Sequence, residues 1–245
     1  MACWFADHVV TVTSLWRRTL IDRGVPEHKV SVVMNVADDQ IFNLMAVEDV
    51  SVPDDRFRLI YHGSLTERYG LDLAVRAVAQ LRDRIPGIHL TIHGRGPYLE
   101  VLRGLVDELG AEDRVFFSAF GLPTAELPKM IRQATIGIVP NRRDVFTDGI
   151  LPTKLMEYAA LGMPVVAART PAIDAYFGEG MVQFFEPDNV DDLVDAILSL
   201  YQQSQRRDEL AQGIQSFNQQ YNWTALGAEY AAMVDQLGQR NGGCR

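Results

Sequence analysis

The stretch FRLIYHGSLTERYGLDLAVRAVAQLRDRIPGIHLTIHG, residues 57–94, decides the fold. It opens on FRLIYHG, a short apolar run that reads as a strand. LDLAVRAVAQLRDRI (71–85) follows as an amphipathic helix, and IHLTIHG (88–94) as a second strand. Strand, helix and strand make one βαβ unit. Strands apolar on both faces fit a parallel sheet covered by helices.

The alternation runs on downstream. Helix 98–110 leads to strand 114–120, and helix 124–133, expected to be distorted at Pro128, leads to strand 135–141. Helix 151–162 then leads to strand 163–168, and strand 181–187 follows the short AIDAYFG. Helical stretches at 190–205, 207–221 and 223–240 close the chain before NGGCR, which is expected to fray. Upstream lie a strand at 8–13, a helix at 14–24 with Ser14 as N-cap and Gly24 as stop, and a strand at 29–35. The expected fold class is α/β: a Rossmann-like doubly wound parallel sheet with a closing C-terminal helix. In such open sheets ligands bind beyond the carboxyl ends of the strands. That points to the loops after residues 62, 94, 120, 140 and 168.

Composition narrows the function classes. With 245 residues and 47% hydrophobic content, a sizeable core is available and wholesale disorder is excluded. A net charge of -9 argues against nucleic acid as a partner, because phosphate contacts need clustered Lys and Arg. Cys3 and Cys244 show neither metal-ligand spacing nor a disulfide framework, so a reducing, cytoplasmic compartment is expected. No run approaches the ~20 apolar residues of a membrane span. The start, MACWFADHVVTVTS, lacks a basic leader and a long apolar segment, so a signal peptide is not expected and it reads like the middle of a protein.

Three loops hold candidate site residues. In HGSLTERYG (62–70), Gly63 lets the backbone approach a ligand and Arg68 could pair with a phosphate; a plain turn with a surface Arg is the competing reading. In HGRGPYLE (93–100), Gly94 belongs to a G-x-G ahead of a helix, a weak signal short of a dinucleotide fingerprint. The loop RRDVFTDGILPTKLMEY (142–158) is the richest. Gly149 and Pro152 turn into a helix whose first amides face an anion. Lys154 in its first turn opposes the helix dipole, which an anionic neighbour would explain, and Glu157 lies on the same side, able to accept from a ribose diol. A Lys–Glu surface pair is the alternative. Of the five histidines only His62 and His93 fall at strand ends facing the cleft, and a catalytic role for either is disfavoured. The G-x-S-x-G nucleophile motif is absent.

Several segments together resemble the retaining glycosyltransferases of family 4, which have the two-domain GT-B fold. VTVTSLWRRTLIDRGVPEHKVSVVMNVADDQIF is similar to the family's interdomain segment, and YHGSLTERYGLDLAVRAV to its first nucleotide-binding loop. LTIHGRGPYLEVLRGLVDELGAEDRVFFSAF and ATIGIVPNRRDVFTDGILPTKLMEYAALGMPVVA resemble the following units and the E-x7-E region. The resemblance implies a nucleotide-diphosphate sugar as donor. By it, Glu157 is the second Glu and holds the ribose, Gly63 and Ser64 face the pyrophosphate, and the backbone of Ala119 and Phe120 lies near the base. The sugar points toward residues 147–151. Donor contacts are therefore expected from Gly63, Ser64, Arg68, Gly94, Ala119, Phe120, Ile150, Leu151 and Glu157, and catalytic positions at Asp148, Gly149 and Lys154. No metal or other cofactor is expected.

This chain departs from the family pattern. Gly149 stands where the first Glu falls, with Asp148 the nearest carboxylate; Ser64 and Tyr69 stand where an Arg and a Lys fall. Charge compensation then rests on Arg68, Lys154, Arg142 or Arg143, with Lys154 favoured by a P-x-K-x-x-E-Y version of the motif, or on helix N-termini. Length departs too. Residues 1–35 read as the remnant of an N-terminal acceptor domain, 36–55 as a linker, 56–222 as the nucleotide-sugar domain and 223–245 as a crossing helix and tail. The first ~35 residues and the last helix are expected to expose apolar surface. The expected activity is hexosyl transfer from a UDP- or GDP-sugar to a hydroxyl of a glycan or lipid-linked acceptor, with retention. A missing N-terminal domain or partner chain would complete it, and peripheral membrane contact stays open. The alternatives are a UDP-sugar epimerase of the same fold and a non-catalytic half of a split enzyme.

Overall fold

The structure, a computed structural model, describes residues 2–45, 56–118 and 121–242. The chain begins with a short helix that the sequence reading did not include, α1 (Ala2–Phe5). A small unit follows: β1 (Val9–Thr11), α2 (Ser14–Asp22) and β2 (Val30–Val32), with β1 and β2 paired in parallel. Thr13, not the expected Ser14, caps α2: its backbone is extended and its hydroxyl accepts from the Trp16 amide at 3.2 Å. Only the residue that stays outside the helical conformation can aim its oxygen at those amides. The segment expected to be a linker is packed as far as it is described, because Ala37 and Phe42 are buried beside Met34. Residues 46–55 lie outside the described residues.

The main unit runs β3 (Arg58–His62), α3 (Leu71–Leu81), β4 (His89–His93), α4 (Leu99–Leu109), β5 (Val115–Ser118) and α5 (Leu127–Arg132). It continues through β6 (Ile136–Val139), α6 (Thr153–Ala160), β7 (Val165–Ala168), α7 (Pro171–Tyr176) and β8 (Gln183–Phe185) to α8 (Val190–Gln202), α9 (Ser204–Gln220) and α10 (Trp223–Gly242). The sheet order is β5-β4-β3-β6-β7-β8, and all five neighbouring pairs are parallel. This is the doubly wound α/β sheet that the strand–helix alternation predicts.

The two-residue period of β3 feeds both layers. Leu59 and Tyr61 join the core with α3, α4 and α8, while Ile60 joins the opposite core with α6, α7 and α9. Each fully buried Leu, Ile or Val contributes about 1.5–3 kcal/mol relative to exposure, so these two layers outweigh any single polar contact in holding the sheet. Tyr158 of α6 spans from one layer into the sheet, donating its hydroxyl to Ile60 O at 3.0 Å.

Three expectations need correcting. Pro128 does not distort a helix: it sits in the first turn of α5, where its missing N–H costs nothing, and residues 124–126 form a separate 3-10 turn. The helix expected to end at 205 ends at Gln202, and the next begins at Ser204. The Arg207 guanidinium takes the last carbonyls of α8, donating to Leu200 O and to Tyr201 O. Asn241 and Gly242, expected in a frayed tail, still belong to α10.

Apolar surface is open where it was expected. Phe5 is 90% exposed and Trp4 62% in the first segment, and Trp223, Tyr230 and Val234 are exposed on α10. No helix among the described residues is long and apolar enough to cross a membrane.

Candidate functional site

Strand order reverses between β3 and β6, so their connections leave toward opposite sides. The crevice at that switch point is the ligand position of this architecture. It is bounded by the loop after His62, the loop after His93 and the loop from Pro140 to Pro152.

The first two loops are locked together by backbone contacts. Gly63 N donates to His93 O at 2.9 Å, and Leu65 N to Arg95 O at 2.8 Å. Gly63 has φ +120 and Gly94 has φ +149, and a Cβ on Gly94 would lie 1.8 Å from Gly63 O. Gly94 is therefore required by loop packing, whatever it does for a ligand. The third loop is tied in by Arg142 N, which donates to Arg68 O at 2.9 Å.

At the start of α6, Pro152 provides no side-chain cap, so the first amides of the helix are left to an anion. Lys154, only 7% exposed, turns back across Gly63. Its Nζ sits 4.7 Å from the ring centres of both Tyr61 and Tyr69 and makes no hydrogen bond among the described residues. Burial brings its pKa down to about 8, with Glu157 pulling the other way. This excludes the Lys–Glu surface pair that the sequence left open.

Glu157 lies one turn along the helix, its side chain 20% exposed, with Oε2 3.2 Å from His62 Nε2. The two atoms are close without forming a hydrogen bond. Burial pushes the Glu157 carboxyl up to about 7, against Lys154. It pushes His62 down to about 3, helped by Lys154 and His93. Near neutral pH the cluster therefore holds a charged Lys154, a neutral His62 and a Glu157 poised between its two states. The His62 ring also meets Tyr158 edge-on at 5.1 Å.

A cleft of about 690 Å3 opens between Ser64, Arg68 and Tyr69 on one side and Arg142, Arg143 and Phe146 on the other. Its cations are unequal. Arg142 is taken by Asp72 at 2.5 Å and by Asp188, so it is no free phosphate ligand. Arg143 is held by Asp148 at 3.0 Å. Arg68 lies over the Phe146 ring at 5.0 Å, with Asp144 3.8 Å away. The compensation expected from four cations thus narrows to Lys154 and Arg68.

The remaining expected residues are less uniform. Asp148 and Gly149 form a 3-10 turn with Thr147, and Gly149 O accepts from the Thr13 hydroxyl at 2.8 Å. Ile150 is half-buried, whereas Leu151 is a core side chain, so only its backbone is offered to a ligand. Ala119 and Phe120 lie outside the described residues. Among the described residues no three His, Cys, Asp or Glu side chains group as a metal site.

Sequence reading missed three features. His62 was discounted, yet it is the side chain nearest the Glu157 carboxyl in the cluster. Tyr61 and Tyr69 flank Lys154, and no periodicity links residues eight apart across a turn. Asn141, fully buried just after β6, has neither amide atom paired among the described residues. A buried orphan group costs about 1–3 kcal/mol, which marks this spot as specialised.

Comparison with known proteins identifies the family. A family model described as "Glycosyl transferases group 1" matches residues 46–217. The GDP-mannose-dependent alpha-(1-6)-phosphatidylinositol monomannoside mannosyltransferase of Mycolicibacterium smegmatis is 37% identical over 121 residues, covering 47% of this chain and 31% of the relative. The putative colanic acid biosynthesis glycosyltransferase WcaL of Escherichia coli K12 is 27% identical over 237 residues, covering 94% of this chain and 57% of the relative. The chain thus spans about half the length, or less, of the curated relatives it matches. Among solved structures, Anabaena HepE in complex with UDP superposes with a TM-score of 0.83 at 19% identity, covering 96% of this chain and 65% of that one. At that identity the likeness concerns the fold.

Proposed function

The chain belongs to the group 1 glycosyl transferases, and we propose that it is the donor-binding half of a retaining enzyme that moves a hexose from a UDP- or GDP-sugar to an acceptor hydroxyl. The observation that carries this reading is Lys154. It is a buried ammonium without a hydrogen bond, at the open N-terminus of α6, beside Gly63 and one turn from Glu157. A diphosphate at this point would meet helix amides, the Gly63–Ser64 backbone and one unspent cation. A ribose would meet the Glu157 carboxylate.

In this reading Lys154 and the α6 amides stabilise the charge that grows on the departing diphosphate. Fixed donors aimed at developing charge lower the barrier without reorganising. No metal takes part in the proposed step. Residues 147–151 face the sugar, with Gly149 at the position of the family's first Glu and Asp148 the nearest carboxylate, and residues 119–120 lie near the base. The base stays open between uracil and guanine, because one relative is named for GDP-mannose and one solved neighbour holds UDP. The acceptor is a glycan or a lipid-linked glycan. Residues 1–35 and α10 would belong with an acceptor domain, supplied by a longer chain or by a partner, which their exposed aromatic residues support. A cytoplasmic location completes the proposal.

Thermal unfolding with UDP, GDP, ADP and NAD tests it. A ligand at a hundred times its Kd adds about 2.7 kcal/mol. One nucleoside diphosphate should stabilise the chain, and Glu157→Ala should abolish the effect. No stabilisation of the folded parent by any of them would overturn the donor-site reading.

A further inference from the structure

By the family resemblance Gly149 stands where the first Glu of the motif falls, and the space in front of it is filled. A Cβ built on Gly149 would lie 2.6 Å from Cε2 and Nε1 of Trp16 and 3.0 Å from Cζ2. The indole, from a segment more than a hundred residues earlier, thus lies directly against the glycine through its Nε1–Cε2–Cζ2 side. No rearranged backbone is involved, since Gly149 is not among the glycines with positive φ.

The backbone that carries the indole is tied to the same turn by one hydroxyl with two duties. Thr13 Oγ1 donates to Gly149 O at 2.8 Å and accepts from Trp16 N at 3.2 Å. Thr13 is fully buried, and the next residue is anchored too, Ser14 N donating to the Tyr176 hydroxyl at 2.8 Å. The N-terminus of α2 and the 147–149 turn are therefore pinned to each other, with Trp16 as the filling. Trp16 itself remains half-exposed, and three residues separate the Gly149 it covers from the helix that carries Lys154 and Glu157.

We propose that Trp16 is the specificity-determining wall of the sugar subsite, an aromatic surface in the place of an acidic side chain. This rests on the donor-site reading above. A carboxylate at position 149 would select a sugar by accepting from its hydroxyls. An indole selects by covering a C–H face, and it tolerates a sugar in which a hydroxyl is replaced by hydrogen or methyl.

The test compares UDP with UDP-glucose and UDP-N-acetylglucosamine, and GDP with GDP-mannose and GDP-fucose, by calorimetric titration of the parent, Trp16→Ala, Trp16→Phe and Gly149→Ala. The readout is the ratio of nucleotide-sugar affinity to nucleoside-diphosphate affinity. In the parent this ratio should exceed one for at least one sugar. Trp16→Ala should lower it on the order of three- to tenfold, the span of an ordinary aromatic contact, and Trp16→Phe should lower it less. Gly149→Ala must displace the indole, so it should lower the ratio in the parent and leave it unchanged in a Trp16→Ala background. An unchanged ratio in Trp16→Ala, with the nucleoside diphosphate still bound, would overturn the wall alone. Absence of nucleoside-diphosphate binding by the parent would overturn the donor site and the wall with it.

Discussion

His62 Nε2 lies 3.2 Å from Glu157 Oε2, joining the last residue of β3 to the middle of α6 across the switch point of the sheet. Two titratable groups buried at this separation make the state of the site depend on pH in opposite ways. Glu157 is raised from 4.5 to about 7, and His62 is lowered from 6.5 to about 3, both chiefly by burial.

The stability of the fold should carry both signatures. Glu157 is easier to protonate in the folded state, so its contribution is complete below 4.5 and is lost as pH rises to about 7. His62 is harder to protonate in the folded state, so its contribution is complete above 6.5 and is lost as pH falls toward about 3. Between those limits the two oppose each other. Glu157→Gln should remove the loss on the alkaline side, on the order of 2–3 kcal/mol. Urea unfolding of parent and variant at about pH 5 and about pH 7.5 reads the difference; an equal change in unfolding free energy between the two pH values in parent and variant would refute the assignment.

Nucleotide binding should follow the ionisation of the same carboxyl. A carboxylate accepts more strongly from ribose hydroxyls than a carboxyl group does. Affinity for the stabilising nucleoside diphosphate should therefore rise as pH passes through about 7. In Glu157→Gln that rise should disappear, leaving the titration of the ligand's own phosphate and, on the alkaline side, the loss of the Lys154 charge.

Lys154→Met should separate stability from binding. Burial lowers the ammonium to about 8, a cost on the order of 3 kcal/mol that the Tyr61 and Tyr69 rings offset only in part. An apolar chain of similar length should raise the melting temperature by a few degrees. The same change should weaken nucleoside-diphosphate binding by at least tenfold, since charge-assisted contacts contribute about 1.5–3 kcal/mol. A variant that is both less stable and equally tight would contradict the role given to Lys154.

Two glycines make a matched pair. Gly94→Ala places a Cβ 1.8 Å from Gly63 O in a left-handed backbone, and should cost more than about 3 kcal/mol or prevent folding. Gly104 sits in α4 with nothing within 4 Å of an added Cβ, so Gly104→Ala should stabilise by about 0.5–1 kcal/mol. Chemical denaturation of the two variants measures both signs.

Thr13→Val should cost about 1–2 kcal/mol, because it removes the α2 cap and leaves Gly149 O without its donor. Thermal unfolding measures the loss. Ser14→Ala should cost less than Thr13→Val, which distinguishes the observed cap from the one expected from sequence.

The architecture of 57–94 was written in local terms. Apolar runs of strand length, an amphipathic helix between them and glycines at the turns specify a βαβ unit wherever they occur, and repeating it specifies the parallel sheet. Glu157 and Lys154 were legible for a related reason: a carboxylate and an ammonium at the start of an otherwise apolar helix violate the pattern around them. What a pattern along the chain does not encode is which residues meet from far apart. Ser14 was read as the cap of α2, and only the backbone conformation gave that place to Thr13. Arg142 had the look of a phosphate ligand until Asp72 and Asp188 closed on it. His62 became the neighbour of Glu157, and Trp16 the cover of Gly149, only when β3, α6 and the first segment were brought together. Sequence by itself determined the strands, the helices and the end of the sheet where the candidate site is placed, because these follow from periodicity and turn chemistry between near neighbours. Tertiary structure alone decided which charges remain unspent and which surface lines the site, because burial and ion pairing depend on distances across the fold.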